Sequence, residues 1–264
     1  MRTALVFHPR YLLHEQSREH PERRERLSYT IDQVREEGLF DHPLITNLTP
    51  TEAPWDAAAR VHIPEYLHFL EEASKKGGFI DFDTSVPPGL LSSALLAAGG
   101  AIRAADAVIS GEAVNAFALV RPPGHHARPG TGAGFCYLNN IAIMTRHVQE
   151  KGIRRVMILD WDAHHGDGTQ QIFYDDPSVL FTSIHQWPFY PGSGSVDEIG
   201  SGDGEGFTAN MPVPAGTGDE SYHYLFDCVI APLAREFSPD LIAISAGQDN
   251  HFTDPLTGLA LTAR

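Results

Sequence analysis

Residues 158 to 170 read ILDWDAHHGDGTQ. An apolar run ends in Asp160-Trp161-Asp162, then Ala163, His164-His165 and Gly166-Asp167-Gly168. Carboxylates and imidazoles crowd a segment that begins like a buried strand. Ionised groups are costly to bury unless they are paired or bound to metal. Side chains alternate along an extended segment, so Asp160, Asp162 and His164 tend to one side and Trp161 and Ala163 to the other. Asp162 and His164 could then grip one ion, with Asp249, from a neighbouring strand end, as a third ligand. Two carboxylates and an imidazole suit zinc of the catalytic kind, which keeps a position open for water or substrate. Iron or cobalt would accept the same ligands. The two negative charges neutralise a divalent ion and leave it a Lewis acid for a neutral amide carbonyl. Taken alone, a D-x-D-x-H motif also fits a hydrogen-bonded polar loop or a salt-bridge network.

A second feature shifts the balance toward catalysis. His125-His126 follows Arg121-Pro-Pro-Gly, and adjacent histidines after such a turn rarely both pack. Each could pair with a carboxylate that fixes its tautomer and raises its basicity. With Asp162 given to metal, Asp160 and Asp167 are left for that purpose. An activated water needs a general base and a leaving amine needs a general acid, and two histidines can share those tasks.

These residues must be positioned by elements, and the apolar runs supply them. Thr3 to Phe7, Asn115 to Val120, Arg155 to Leu159, Val179 to Ile184 and Leu241 to Ser245 read as buried strands. Helical stretches lie between them: Glu22 to Glu37, with a Leu27, Ile31 and Val34 stripe, then Ser92 to Ile109, Asn139 to Glu150 and Asp219 to Phe237. Alternating strands and helices, with strands apolar throughout, predict a parallel sheet covered on both faces. Ligands bind at the carboxyl ends of such strands. Four of the runs end in metal-capable residues: His125-His126, Asp160 to Asp167, His185, and Asp249 to His251. Their convergence on one sheet edge is stronger evidence than any single motif. Residues 186 to 218, rich in Gly and Pro, read as a long functional loop.

Composition sets outer bounds. The 264 residues are 42% hydrophobic and 20% charged, ordinary for a soluble globular protein, with a net charge of −15 that disfavours nucleic acid. Cys136 and Cys228 form no CxxC pair, which fits a reducing cytoplasm. The N-terminus lacks an apolar leader core, and no segment is expected to reach membrane-spanning length, so no membrane role is expected.

The ordered motifs Arg121-Pro-Pro-Gly-His-His, Gly134-Phe-Cys-Tyr-Leu-Asn-Asn140, Asp160-Trp-Asp-Ala-His-His-Gly-Asp-Gly168 and Ser245-Ala-Gly-Gln-Asp249 resemble the zinc-dependent histone deacetylase superfamily. His20-Pro-Glu-Arg-Arg-Glu-Arg-Leu27 and Val61-His-Ile-Pro-Glu-Tyr66 look like the same family. The flavour is that of class II deacetylases and bacterial deacetylase-like amidohydrolases, and the likeness runs along essentially the whole chain. It implies an arginase/deacetylase α/β fold, a mostly parallel sheet sandwiched by helices, with 1–264 as one catalytic domain. It further implies Asp162, His164 and Asp249 as zinc ligands, and His126 as general base and acid held by Asp167. His125 would be held by Asp160. Phe135 and Tyr190 would wall the channel. A potassium ion would sit on Asp160, Asp162 and His164 with Ser183 and Ile184.

The implied reaction is hydrolysis of an acetyl-lysine amide, or of a similar small acetylated amine, by a metal-activated water. The resemblance leaves room for homo-oligomers. Acetylpolyamine amidohydrolases are the near alternative. Leu256 stands at a rim position that is acidic in polyamine-selective relatives, and leucine cannot attract a second amine. An arginase-like ureohydrolase fits poorly, because it needs a second metal and more carboxylates. The family's Gly-Gly-Tyr, whose hydroxyl assists the oxyanion, does not occur before Arg264. The sequence is therefore expected to be a C-terminally shortened domain, whose extreme reading is a non-catalytic acyl-lysine binder.

Overall fold

A computed structural model describes residues 1–16 and 20–263. The chain forms two compact units, Met1–Glu150 and Lys151–Arg264.

The first unit opens with β1 (Thr3–Val6), α1 (Glu25–Glu36) and β2 (Ile45–Leu48), followed by α2 (Trp55–Ala59) and α3 (Pro64–Lys76). The short strands β3 (Gly78–Phe79) and β4 (Ser85–Val86) form an antiparallel hairpin. Then come α4 (Leu90–Ile109), β5 (Asn115–Ala118) and α5 (Asn140–Glu150). β1 is the middle strand of a parallel sheet of order β2-β1-β5. α1 begins at Glu25 rather than Glu22, and its buried face is Leu27 and Ile31, two members of the expected stripe. Pro64 opens α3 at a position where a missing N–H costs nothing. α4 is long and apolar enough to cross a membrane, contrary to the sequence expectation, yet 61% of its apolar window is buried inside the protein. It packs against α5, β5 and β1, so its oiliness serves the core.

The second unit runs through β6 (Val156–Asp160), α6 (Asp167–Phe173), β7 (Val179–Gln186), β8 (Thr208–Val213), α7 (Asp219–Leu225), α8 (Ala231–Phe237) and β9 (Leu241–Ser245). The sheet order is β8-β7-β6-β9, all parallel. Every residue of β6 and β7 is buried, which explains runs that are apolar throughout. β8 is a strand inside the stretch that read as one long loop. The expected helix from Asp219 to Phe237 is interrupted by a π-helical turn at Phe226–Ile230. Three of the four strand ends of interest, those of β6, β7 and β9, share this one sheet, while β5 belongs to the first unit.

Candidate metal centre

β6 ends at Asp160, which is opposite Ser183 of β7 on one side and Ser245 of β9 on the other. Beyond that point the chain folds over its own carboxylates. The Asp162 amide donates to Asp160 Oδ1 at 3.1 Å, and the His164 amide donates to Asp162 Oδ1 at 2.9 Å. The Ala163 amide donates to Asp249 Oδ1 at 2.9 Å, joining this turn to the segment after β9. Trp161 and Ala163 face the other way, into the apolar core of the second unit. Asn250 Nδ2 donates to the Trp161 carbonyl at 2.9 Å, and the Thr257 hydroxyl donates to the Asp249 carbonyl, so both segments that carry the candidate ligands are pinned.

The result is one tight group. His164 Nδ1 lies 3.2 Å from Asp162 Oδ1 and 2.7 Å from Asp249 Oδ2. One ligand atom from each of Asp162, His164 and Asp249 falls within 4.8 Å of the other two, and among the described residues this is the one such group. Gly247 makes the approach possible, since a Cβ there would lie 2.1 Å from Asp162 Oδ2. The electrostatics fit a cation. Burial alone would depress the His164 pKa, but hydrogen bonds and charge from Asp162 and Asp249 raise it to about 10. Burial and then the Asp162 charge push the Asp249 carboxyl upward. Two carboxylates crowded together call for positive charge, and three donors with partial exposure match a divalent ion that keeps an open position.

Two aromatic rings border the group. Phe189 stacks on the His164 ring with centroids 5.1 Å apart, and Tyr190 meets it edge-on at 6.1 Å. Tyr190, expected as a channel wall, lies beside His164; the closer Phe189 was not among the sequence candidates, and its only sequence signal is its place beside Tyr190. Leu256 is exposed on the loop whose neighbour Thr257 binds the Asp249 carbonyl.

Other sequence candidates separate by place. Asp160 and Asp167 are buried in the second unit, as are Ser183 and Ile184 of β7. His125 and His126 are buried in the first unit, ring centroids 4.0 Å apart. Phe135, also in the first unit, has φ of 69°, a conformation few non-glycine residues adopt. Its amide donates to Thr84 Oγ1 at 3.3 Å and its ring meets the edge of His20 at 4.5 Å. His185 is a correction. β7 runs on to Gln186, so His185 lies inside the strand, fully buried, with ring nitrogens at 2.9 Å from Ser183 Oγ and 3.0 Å from the Gly194 carbonyl. His251 is bonded to Thr253 at 2.8 Å and lies outside the metal group. His165, unassigned by the motif, contacts Ser193 Oγ at 2.8 Å and Gln170 Oε1 at 3.0 Å.

Residues 20–264 match the histone deacetylase domain family. The chain belongs to that family. A "Probable deacetylase" of Archaeoglobus fulgidus is 62% identical over all of this histone deacetylase domain, which spans 74% of that relative. "Histone deacetylase 10, chloroplastic" of Oryza sativa subsp. japonica is 40% identical over 92% of the chain and 59% of its own length. "Polyamine deacetylase HDAC10" of Rattus norvegicus is 40% identical over 97% of the chain and 46% of its own length. The chain thus spans about half the length of these last two relatives. The crystal structure of the HDA15 HD domain superposes with a TM-score of 0.94 at 38% identity, over 99% of this chain and 76% of that one. The histone deacetylase domain therefore has the expected arginase/deacetylase α/β fold, with parallel sheets flanked by helices.

Proposed function

We propose that this chain carries the hydrolytic site of a zinc-dependent deacetylase acting on the amide of acetyl-lysine or a similar acylated amine. The convergence of Asp162, His164 and Asp249 carries this reading. A zinc ion held there would supply Lewis-acid polarisation of the acyl carbonyl. His126 accepts a proton from the attacking water and returns it to the departing amine. Asp167 is proposed to hold His126, and Asp160 to hold His125, each fixing an imidazole tautomer as a carboxylate partner does. Phe135 and Tyr190, with Phe189 added, give the acyl-amine chain apolar, aromatic walls. A potassium ion is proposed on Asp160, Asp162, His164, Ser183 and Ile184, supported by the Asp160–Ser183 register.

The test pairs metal analysis with hydrolysis of an acetyl-lysine peptide by the full-length protein. One zinc per chain is expected, with activity abolished in His126→Ala. Full activity in that variant would sink the role given to His126. A polyamine substrate is the second reading, favoured by the rat relative's name. Leu256 argues against it, because an apolar rim offers no charge to a second amine. Faster hydrolysis of N-acetylspermidine or N-acetylputrescine than of the peptide would reverse that choice.

A further inference from the structure

The segment after β7 carries Phe189 and Tyr190, and it is fastened at its far end. Glu198 Oε1 accepts the amides of Gly194 and Ser195, both at 2.9 Å. Its other oxygen accepts Gln170 Nε2 at 2.5 Å. Gln170, on α6, uses its carbonyl for Asn210 Nδ2 at 2.7 Å and for His165 Nε2 at 3.0 Å. Because that carbonyl only accepts, His165 Nε2 donates, and in this neutral tautomer His165 Nδ1 accepts a hydrogen bond from the Ser193 hydroxyl. The chain of donors thus leaves the segment at Ser193 and returns to it through Glu198. Gly194 threads between two imidazoles: a Cβ there would sit 2.5 Å from His185 Nε2 and 2.7 Å from His165 Cγ, and its φ is +93°. His165, Gln170 and Asn210 are buried, so the two bonds to the Gln170 carbonyl operate where water does not replace them, while those of Glu198 and Ser193 are half-buried.

We infer that Glu198, through Gln170 and His165, is a positioning latch that holds Phe189 and Tyr190 against His164. His165 is the chain neighbour of His164, so the latch ties the aromatic segment to the backbone that carries a metal ligand. None of the latch residues is catalytic; they act through the wall they fix. The kinetic part of this inference rests on the proposed deacetylase reading, whereas the structural part does not.

Reciprocal exchange tests it in the full-length protein. In Glu198→Gln the new amide meets the Gln170 amide donor to donor. Amide exchange across 187–195 and the KM for an acetyl-lysine peptide should both rise, by up to about tenfold, as for loss of one charge-assisted hydrogen bond. kcat and zinc content should hold. In Gln170→Glu combined with Glu198→Gln, a carboxylate at 170 accepts from His165, Asn210 and the amide at 198, so both values should return toward wild type. Unchanged exchange in Glu198→Gln overturns the latch. Faster exchange with unchanged KM overturns its effect on substrate. A response in exchange when even the wild type leaves the peptide intact supports the latch and sinks the acetyl-lysine reading. If Glu198→Gln does not fold, Ser193→Ala, which removes one His165 partner, should give a smaller rise in the same direction; no rise overturns the latch.

Discussion

Each unit of this chain holds a knot of charge, and the two are balanced differently. In the first, Glu22 and Arg121 are 0% and 1% exposed. Arg121 Nε donates to Glu22 Oε2 at 2.6 Å, and Nη1 donates to the carbonyls of Tyr11 and His14 at 3.1 and 2.8 Å. Anion and counter-cation both come from the chain. His14 beside them is kept neutral: burial, then the Arg121 charge, lower its pKa to about 3. In the second unit Asp162 and Asp249 share the imidazole of His164, and the three side chains are about one-fifth exposed. A knot that contains its own guanidinium is architecture. One with two carboxylates to one imidazole, open on a side, has the make-up of the cation site proposed above.

The sharpest way to break this contrast is to remove the internal cation. Arg121→Met leaves Glu22 buried without its partner and should cost about 3–5 kcal/mol in urea unfolding. Adding Glu22→Leu should recover most of that loss. A double variant no better than the single would mean that the pair does more than cancel charge. Removing a ligand from the second knot should instead spare much of the fold. Asp249→Ala is expected to lose its metal and, with it, at least the roughly 10²-fold seen when ligand partners are removed. A chelator should lower the unfolding midpoint of the wild type and leave that of Asp249→Ala unmoved; equal shifts in both would contradict the assignment.

Gly247→Ala should fall between structural and functional effects. Its methyl must displace Asp162, at about 1–3 kcal/mol for an overpacked site. Weaker metal binding, read by competition with a chromogenic chelator, is the expected signature. The smallest effect is a slope. His14 is neutral when folded and titrates near 6.5 when unfolded, so the stability it lends is full above pH 6.5 and is lost as pH falls toward 3. His14→Gln should flatten the fall in that window by at most about 1.4 kcal/mol per pH unit. His62 and His185, lowered to about 4 chiefly by burial, keep part of the slope in the variant. An unchanged slope would show that His14 is not held neutral.

The three residues that converge were readable from type, spacing and strand-end position together: Asp162 and His164 two apart, Asp249 at another strand end. β6 and β7 were readable because burial on both faces demands continuous apolar runs, whereas β9 reads apolar although Ile242 and Ile244 are exposed. What escaped depends on the path of the chain. β8, with Asn210 and Pro212 in its six residues, hid in a stretch dominated by Gly and Pro. His185 read as a strand-end ligand because β7 continues two residues past the apolar run, turning that side chain inward. Phe189 escaped because which of two adjacent aromatics stacks on His164 is a matter of tertiary geometry that no local pattern records. α4 was legible as a helix from its oily Ala-rich run, but its membrane-spanning length was not expected, and its packing accounts for that length as core.

The parallel register of β6 with β9 has one more consequence. Asp249 enters the site 86 residues after Ala163, the amide it holds. A pairing of such sequence separation carries a larger loop-closure entropy cost than a local one. Until β9 has docked, the segment after β6 is an acidic loop with nothing to converge on. The group of Asp162, His164 and Asp249 is therefore a report on the chain's own assembly, since it exists only with its last strand seated.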